Sequence, residues 1–517
     1  MNIAAFFEHW NIAENPFRGE EARDDAVFAR MCLGRADSGV SAHTDFEKIL
    51  GDPSRPATSI VFGEKGSGKT AIRMQIASRL AAHNKANPSA MTLLLPYDDL
   101  NGVLDTLHAR FRAADGKRWS VDDTLSRLRL VDHLDAILAI GVGRIVGAII
   151  GGAPASVIEE VGPSPAKSAR RMSPGLRRDL LVLAGLYDLA DENAVRLARL
   201  RRVLRLPPPA SNVVWIILLA IGWAPAVALG LWWLLARPPA GLGSQALLIA
   251  CGVALVVYVG LLLKRLVWDR WTLGRLASKL ARQLRALPRQ TSAYAASLAR
   301  LSPAERRRAA RVLAGSDEQR YELLARLLRV AGVFGYSGAL VVLDRVDEPT
   351  LISGDADRMK AVVWPLLSNK FLQLEDVGVK MLLPIELRYA LFRESSAFFQ
   401  EARLDKQNLV ERLTWTGPML YDLCNARLGA CLAPEAGEVS LLELFSEDVT
   451  RQDLVDALDQ MRQPRDAFKF LYKCVSEHCS NVTSDQSEWR IPRLVLESVR
   501  RQESDRVQQL ARGIRPA

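Results

Sequence analysis

Two long apolar runs divide this chain between a phosphate-loop motif and a predicted strand that ends in an acidic residue. A phosphate-loop motif needs such a strand beside it. The motif fits G-x-x-x-x-G-K-[ST], and its residues are Gly63, Glu64, Lys65, Gly66, Ser67, Gly68, Lys69 and Thr70. The apolar run 340–343 ends at Asp344, and the two long runs are 213–236 and Leu242–Leu263. This order predicts a nucleotide-binding core with a membrane segment inserted into its middle.

The residues around the motif predict the structural context that a phosphate loop requires. Residues 58–62 are apolar and β-branched, which is typical of a buried strand, and a helical pattern follows from 69 to about 83. A second strand is predicted at Met91–Tyr97. Further strands are predicted at 338–343, at 377–384 and at 409–415. The expected fold class is therefore α/β, with a mainly parallel sheet and large helical insertions.

The motif and the acids predict a site for ATP and Mg²⁺. Glycines allow successive backbone N–H groups to converge on phosphate oxygens at a helix N-terminus. Lys69 is expected to reach the β- and γ-phosphates, and the Thr70 hydroxyl to bind Mg²⁺. Asp344 is the second expected Mg²⁺ ligand. Asp347 and Glu348 follow it closely, and either of them is a candidate for activating water.

Three arginines are candidates for contact with the terminal phosphate, because a cation there stabilises the charge that develops during transfer. Arg388 follows the strand predicted at 377–384. Arg403 and Arg465 lie further along the chain, and Arg465 follows Pro464 at the start of a predicted helix. Each could equally be a surface arginine in an ion pair, so the sequence alone does not choose among them.

The two apolar runs predict a transmembrane hairpin. Run 213–236 has 24 uncharged residues, and as a helix of about 36 Å it exceeds the roughly 30 Å of a bilayer core. Pro225 is expected to kink it. Tryptophans and a tyrosine near the ends suit interfacial anchors, and these are Trp215, Trp232, Trp233 and Tyr258. The alternative is a pair of buried core helices, which two uncharged runs of this length make less favourable.

The basic residues around the hairpin predict its orientation. Five arginines precede the first run and eight lysines or arginines follow the second, whereas the loop 237–241 contains only Arg237. By the positive-inside rule both flanks face the cytoplasm. We therefore expect a multi-pass protein of the inner (plasma) membrane with both termini and the nucleotide domain cytoplasmic. The run 134–150 is also apolar, but its central Arg144 favours a buried or interfacial helix over a third span.

Composition is consistent with this location. The net charge of +10 first suggests a nucleic-acid partner, but much of the excess lies in the flanks of the hairpin, where anionic lipid head groups are the simpler partner. Nucleic acid therefore remains the weaker alternative. The six cysteines form no CxxC pair, so their spacing predicts neither a disulfide framework nor a zinc site.

These patterns divide the chain into seven segments. They are a helical and loop segment (1–57), the first half of the nucleotide core (58–125), a helical insertion (126–210), the hairpin (211–265), a second helical insertion (266–335), the second half of the core (336–425) and a C-terminal helical lid (426–517).

The motifs and their order resemble the STAND and AAA-like branches of the P-loop NTPases, and most closely the KAP family, whose transmembrane segments lie between the Walker A and Walker B motifs. Asp344-x-x-Asp347-Glu348 is similar to a multi-acid Walker B motif, although Arg345 stands where a small or acidic residue is usual. Pro464-Arg465 is similar to the sensor-2 element of a helical lid. The resemblance implies an ATP-switched, membrane-associated assembly protein, and for a bacterial member it suggests a role in defence against phage.

Three functions compete at this stage. The first is an ATP-hydrolysing switch or signalling protein at the cytoplasmic face of the membrane, which assembles as a homo-oligomer. The second is a subunit of a nucleotide-driven transport or secretion motor. The third is a membrane scaffold that binds nucleotide without hydrolysing it, which the unusual Arg345 favours.

Overall fold

A computed structural model describes residues 1–18, 21–33, 43–115, 119–162, 164–208, 210–236, 242–312, 315–392, 407–434, 437–483 and 488–511. The chain forms two compact units along its length. The first combines Met1–Leu100 with Gly338–Ala517, and the second is Asn101–Ser337. The second unit begins just after the second strand, earlier than the insertion predicted from residue 126.

A five-stranded parallel sheet forms the centre of the first unit. Its strands are β1 (Ser59–Gly63), β2 (Met91–Tyr97), β3 (Tyr336–Leu343), β4 (Val377–Pro384) and β5 (Asn408–Val410). The order across the sheet is β2-β3-β4-β1-β5. The expected α/β class with a mainly parallel sheet is confirmed. The strand expected at 409–415 is shorter than predicted, because regular pairing with β1 ends at Val410.

The strand order creates a switch point between β1 and β4. The chain leaves β1 towards β2 in one direction and leaves β4 towards β5 in the other. The two strands are paired in parallel, so their carboxyl ends lie together at one edge. In open parallel sheets, ligands bind in the crevice outside the carboxyl ends at such a point. The phosphate-loop motif follows β1 directly and therefore lies at this crevice.

Helices cover the sheet and form the C-terminal part of the first unit. Their bounds are Ile3–His9, Ala26–Phe28, Phe46–Leu50, Lys69–Ala86, Ala356–Val363, Asn369–Leu372, Ile385–Phe392, Gly417–Ala430, Arg451–Met461, Pro464–Asn481 and Arg493–Ala511. Short π- and 3₁₀-helical turns occupy Ala29–Leu33, Trp364–Leu367 and Leu441–Leu444. The last four α-helices share one hydrophobic core with residues of the N-terminal segment, such as Phe6 and Phe17. We call these last four helices the lid.

A buried lysine lies in the middle of β4. Lys380 is fully buried, and its Nζ donates a hydrogen bond to Ser59 Oγ at 3.1 Å on the neighbouring strand. Burial lowers the pKa of Lys380 to about 7. The charged form is therefore disfavoured in the folded state, whereas the unfolded chain keeps an ordinary lysine.

Replacing Lys380 with methionine should stabilise the protein. In the native protein the unfolded chain binds one more proton than the folded chain between about pH 7 and 10.5, so stability should rise with pH across that window. The cost of Lys380 at pH 7 and below is on the order of a few kcal/mol. Thermal unfolding at pH 6.5 and pH 9 checks this prediction. Lys380→Met should be more stable than the native protein at pH 6.5, and it should lose the rise in stability with pH that Lys380 causes. An unchanged pH slope would contradict the prediction.

Apart from the first two residues of β3, the regular secondary structure described in the second unit is helical. Its α-helices are Asn101–Asp115, Val121–Leu125, Leu130–Ile150, Ala155–Val161, Pro165–Arg171, Pro174–Tyr187, Asn193–Val203, Ala210–Ile221, Ala224–Ala236, Leu242–Leu263, Asp269–Gln283, Thr291–Arg300, Pro303–Val312 and Asp317–Gly332. A π-helical turn at Lys264–Trp268 joins the helices before and after it.

Three helices in the described residues are long and apolar enough to cross a membrane by length and composition. Leu130–Ile150 is 78% buried across its most apolar window, so the expectation of a buried helix there is confirmed. The other two candidates expose their apolar side chains, since only 6% of the window in Trp215–Leu235 is buried and none of the window in Leu248–Gln283.

The two exposed apolar segments pack against each other. The Cys251 thiol donates to the Ala226 carbonyl oxygen at 3.3 Å, and the Tyr258 hydroxyl donates to that of Leu219 at 3.4 Å. The first segment is interrupted at residues 222–223, between Ala210–Ile221 and Ala224–Ala236. Pro225 explains this break, because it lacks an N–H and its ring clashes with the carbonyl group four residues earlier. The connecting loop 237–241 lies outside the described residues.

Candidate functional site

The phosphate-loop motif forms a tight turn between β1 and the helix Lys69–Ala86. Gly66 and Gly68 have φ angles of 98° and 94°, a region that L side chains rarely adopt. At Gly63 a Cβ atom would lie 2.5 Å from Ser67 Oγ, so any side chain there would displace the loop. Gly68 is the N-cap of the helix and no side chain caps its first N–H groups. The turn therefore presents uncapped backbone donors at a helix N-terminus, which is an anion-binding arrangement.

Two side chains of the motif are held without a full set of partners. Lys69 Nζ donates to the carbonyl oxygens of Gly63 at 2.8 Å and Glu64 at 2.9 Å, so its ammonium group folds back over its own loop. Burial lowers the pKa of Lys69, although neighbouring carboxylates, Asp347 first among them, oppose this effect. Ser67 Oγ is buried and has no hydrogen-bond partner among the described residues. Of the two, Lys69 lines the cavity next to the loop, and its ammonium group is the one available to an anion there.

Asp344 ends β3 in a buried position next to arginines. The residue is 1% exposed, and its Oδ1 accepts a hydrogen bond from the backbone N–H of Arg345 at 3.0 Å. Its Oδ2 has no hydrogen-bond partner, although Arg73 Nε lies 3.4 Å away. Burial raises the pKa of Asp344, and the charge of Arg73 opposes that effect. A buried acid with an unsatisfied oxygen is costly unless it serves a cation or another donor.

Asp347 and Glu348, the two candidates for activating water, differ in their surroundings. Arg345 has a φ of 59°, which is strained for a residue with a side chain, and its Nε lies 3.6 Å from Glu348 Oε1. The Glu348 side chain is half exposed. Asp347 is half-buried, and of the carboxylates near Lys69 it contributes most to keeping that lysine charged. Asp347 thus acts on the charge of Lys69, whereas Glu348 lies in a half-exposed ion pair with Arg345.

A single cavity joins these groups to the lid and to the N-terminal segment. Its volume is about 190 Å³, and it opens to solvent. The motif residues in its wall are Lys65, Gly66, Gly68, Lys69 and Thr70, and the acids are Asp344, Asp347 and Glu348. Thr70 and Asp344, the expected Mg²⁺ ligands, therefore line the same space. Arg465 also lines it, as expected for a residue that contacts the terminal phosphate.

The lid and the residues just before it contact the phosphate-loop motif directly. A Cβ atom on Gly66 would lie 3.0 Å from Gln463 Oε1 and 3.1 Å from Arg465 Cβ. Glu64 accepts short contacts from Gln463 Nε2 and from Arg412. Trp415 Nε1 donates to the Ser67 carbonyl oxygen at 2.9 Å. The residues that lead into the lid thus touch the loop in several places, and Gly66 is required partly because of this close approach.

Part of the cavity wall is apolar and includes one buried ion pair. Phe28, Ile72, Leu423 and Phe468 contribute apolar surface. Arg427 Nη1 donates to Asp25 Oδ2 at 2.7 Å, and its guanidinium lies 4.5 Å from the Phe468 ring centre. Arg427 is 2% exposed and its Nη2 has no hydrogen-bond partner. An apolar pocket with a few buried polar groups is typical of sites that bind planar organic ligands.

Arg388, a further predicted residue, is not among the described residues that line the cavity. Arg388 Nη2 donates to Glu411 Oε2 at 2.6 Å, and the guanidinium stacks 4.6 Å from the Phe392 ring centre. Arg388 therefore occupies the alternative role of an arginine in a surface ion pair. Arg403 lies outside the described residues.

The donor set fits a nucleotide with Mg²⁺. No group of three or more His, Cys, Asp or Glu among the described residues is arranged to hold a metal by itself. Mg²⁺ in phosphate-transfer sites needs fewer protein ligands, because phosphate oxygens and waters complete its shell. Asp344 and Arg427 each have a buried polar atom without a hydrogen-bond partner among the described residues, and both residues line the cavity. Thr70 and Asp344 would hold the metal, and the metal would neutralise phosphate charge there.

Sequence reasoning missed several residues of this cavity. Arg73 pairs with Asp344, and Gln463 and Trp415 contact the loop. Asp25 and Arg427 form the buried pair in the apolar part of the wall. Only Arg73 had a usable signal, because it lies one helical turn after Lys69 and so faces the same side of the helix. The others come from distant parts of the chain, and no local pattern indicates that they meet.

No protein-family model matches this sequence, and no curated protein matches it. The resemblance to the KAP family therefore stays a prediction, and the functional argument depends on the geometry of the site.

Proposed function

We propose that this protein is a membrane-anchored P-loop NTPase that binds ATP with Mg²⁺ and hydrolyses it as a cytoplasmic switch. The observation that carries the proposal is that Asp344 and Arg427, each with a buried polar atom unsatisfied among the described residues, line one cavity at the switch point of a parallel sheet. Such atoms cost free energy unless a ligand satisfies them. A phosphate loop with an uncapped helix N-terminus supplies the anion site, and a phosphorylated ligand satisfies both demands.

ATP is the favoured ligand because the cavity wall combines polar and apolar groups. Gly66, Gly68, Lys69 and Arg465 line it and suit the phosphates. Phe28 and Phe468 also line it and suit a planar base, and Arg427 Nη2, which has no hydrogen-bond partner among the described residues, suits an acceptor on that base. This division of polar and apolar surface supports a nucleoside triphosphate over an inorganic anion.

The exposed apolar helices support the membrane location. Side chains such as Leu235 and Val256 are 81% and 71% exposed, and monomeric soluble proteins rarely present contiguous apolar surface on this scale. Lys264 Nζ lies 5.7 Å from the Trp215 ring centre, where the two apolar segments meet their basic flanks. A cation beside an indole is typical of the bilayer interface. Lipid is therefore the proposed partner of this surface.

Replacing Asp347 with asparagine should lower ATP hydrolysis about a hundredfold, the usual contribution of a general base. The matched variant Glu348→Gln should lower the hydrolysis rate far less, because the Glu348 side chain is half exposed and lies in an ion pair with Arg345. Steady-state ATPase rates in detergent, measured beside nucleotide affinity, check both. Nucleotide affinity should change by only a few-fold in either variant, because both acids act on water and not on the bound phosphates.

One specific observation favours a scaffold that binds nucleotide without hydrolysing it. Arg345 follows Asp344 with a strained backbone angle, and its Nε lies 3.6 Å from Glu348 Oε1 in an ion pair. If the native protein binds ATP tightly but shows no turnover above that of Asp347→Asn, the scaffold function is correct and the switch function is wrong.

A further inference from the structure

Arg73 connects two carboxylates at the edge of the sheet. It lies on the helix that follows the phosphate loop, one turn after Lys69. Its Nη1 is in close contact with Asp98, which follows β2, and its Nε lies 3.4 Å from Asp344 Oδ2. The side chains of Arg73 and Asp98 are 18% and 31% exposed, whereas that of Asp344 is 2% exposed.

The two contacts of Arg73 differ in kind. At 3.4 Å the contact between Nε and Asp344 Oδ2 is longer than an ordinary N–H···O hydrogen bond of about 2.7–3.2 Å. Neither atom has a hydrogen-bond partner in the part of the chain that the structure describes. Arg73 therefore balances the charge of Asp344 without completing its hydrogen bonding. The contact with Asp98 is the closer one, so Arg73 keeps a partner if it leaves Asp344.

We propose that Arg73 is a displaceable counter-ion of Asp344, and that a divalent cation arriving with nucleotide takes its place while Asp98 retains the arginine. This inference rests on the proposed function of the site. A divalent cation and a guanidinium cannot both lie against one carboxylate without strong repulsion. Arg73 therefore competes with the metal and weakens the contribution of Mg²⁺ to nucleotide binding. Arg345 also lies near, but its nearest acids are Glu348 and Glu21.

The experiment measures how much Mg²⁺ strengthens nucleotide binding. The dissociation constant of ATPγS is determined by calorimetry in Mg²⁺ and in EDTA. The ratio of the constant in EDTA to the constant in Mg²⁺ is then compared among variants of the full chain in detergent. Arg73→Met should raise the ratio about tenfold, a change typical of coupling between two bound charges. Arg73→Lys keeps the cation and should stay near the native ratio.

Asp98→Asn provides a test in the opposite direction. Without Asp98 the arginine has only Asp344 as a partner, so the ratio should fall. In Asp344→Asn the ratio should approach one, and adding Arg73→Met to that variant should change nothing. Because the Asp98 side chain is partly exposed, this variant also serves if Arg73→Met does not fold.

The outcomes separate the inference from the function beneath it. If ATPγS binds and Arg73→Met leaves the ratio unchanged or lowers it, Arg73 is a brace for Asp344 and the inference is wrong. A rise in the ratio for Asp98→Asn overturns it equally. If the native chain binds ATPγS in neither condition, the proposed function fails, and the inference fails with it.

Discussion

Replacing Lys69 with alanine should weaken ATP binding by at least about a hundredfold. The ammonium group of Lys69 now donates to two carbonyl oxygens of its own loop, and in the complex the same donors would bind phosphate oxygens. Two charge-assisted hydrogen bonds contribute roughly 3–6 kcal/mol together. Calorimetric titration with ATPγS and Mg²⁺ measures the loss. No other substitution of one residue in the cavity is expected to cost as much affinity.

Two control variants sharpen this test. Lys65→Ala removes an exposed lysine of the same loop and should cost less than about tenfold, because that side chain is not held over the phosphate position. Lys85→Ala removes an exposed lysine near the other end of the same helix and should leave affinity unchanged. Equal losses in Lys65→Ala and Lys69→Ala would indicate a general loss of positive charge, and the specific role of Lys69 would be wrong.

Removing the Lys69 ammonium group should raise the stability of the nucleotide-free protein, although it weakens ATP binding. Burial lowers the pKa of Lys69, so its charged form costs free energy in the protein without nucleotide. Lys69→Met should therefore raise the thermal unfolding midpoint without ligand and abolish the further rise that ATPγS produces in the native protein. A site that is strained without its ligand and satisfied with it is what binding proteins commonly maintain.

The parts of the fold that the sequence predicts correctly have local causes. Glycines at 66 and 68 are needed by their backbone angles, and they mark the loop wherever the rest of the chain lies. The apolar run 339–343 in β3 reads as a strand because both faces of a parallel sheet are covered by helices. Pro225 breaks a helix through its own ring. Such signals depend on a few neighbouring residues, and a single sequence contains them.

The parts that the sequence does not predict depend on distant segments. Asp25 and Arg427 meet across 402 positions of the chain, and Glu64 meets Gln463 across 399. Lys380 reads as an interruption of an apolar strand, although its side chain is fully buried beside Ser59. Neither spacing nor composition indicates these pairs, because each is created by tertiary packing. The lid contacts of the candidate site belong to this class.

Replacing Arg320 with methionine should destabilise the second unit by about 3–5 kcal/mol, because it removes one partner of a buried ion pair. Arg320 and Asp135 are each 1% exposed or less. Arg320 Nε and Nη2 donate to the two Asp135 oxygens at 3.0 and 3.1 Å, and the Tyr187 hydroxyl donates to Oδ1 at 2.8 Å. Without Arg320 the carboxylate would remain buried beside a single neutral donor. Thermal and urea unfolding in detergent measure the loss.

The pH dependence and a double variant identify the cause of that loss. Burial raises the pKa of Asp135 to about 6 even with Arg320 present, and removing the arginine should raise the pKa further. The folded state then binds a proton that the unfolded state lacks, so stability recovers as pH falls through the folded pKa. The Arg320→Met defect should therefore shrink at pH 5 relative to pH 8. Asp135→Leu combined with Arg320→Met should be more stable than Arg320→Met alone at pH 8, because no buried charge remains. A defect that is equal at both pH values and unchanged in the double variant would assign the loss to packing instead of charge.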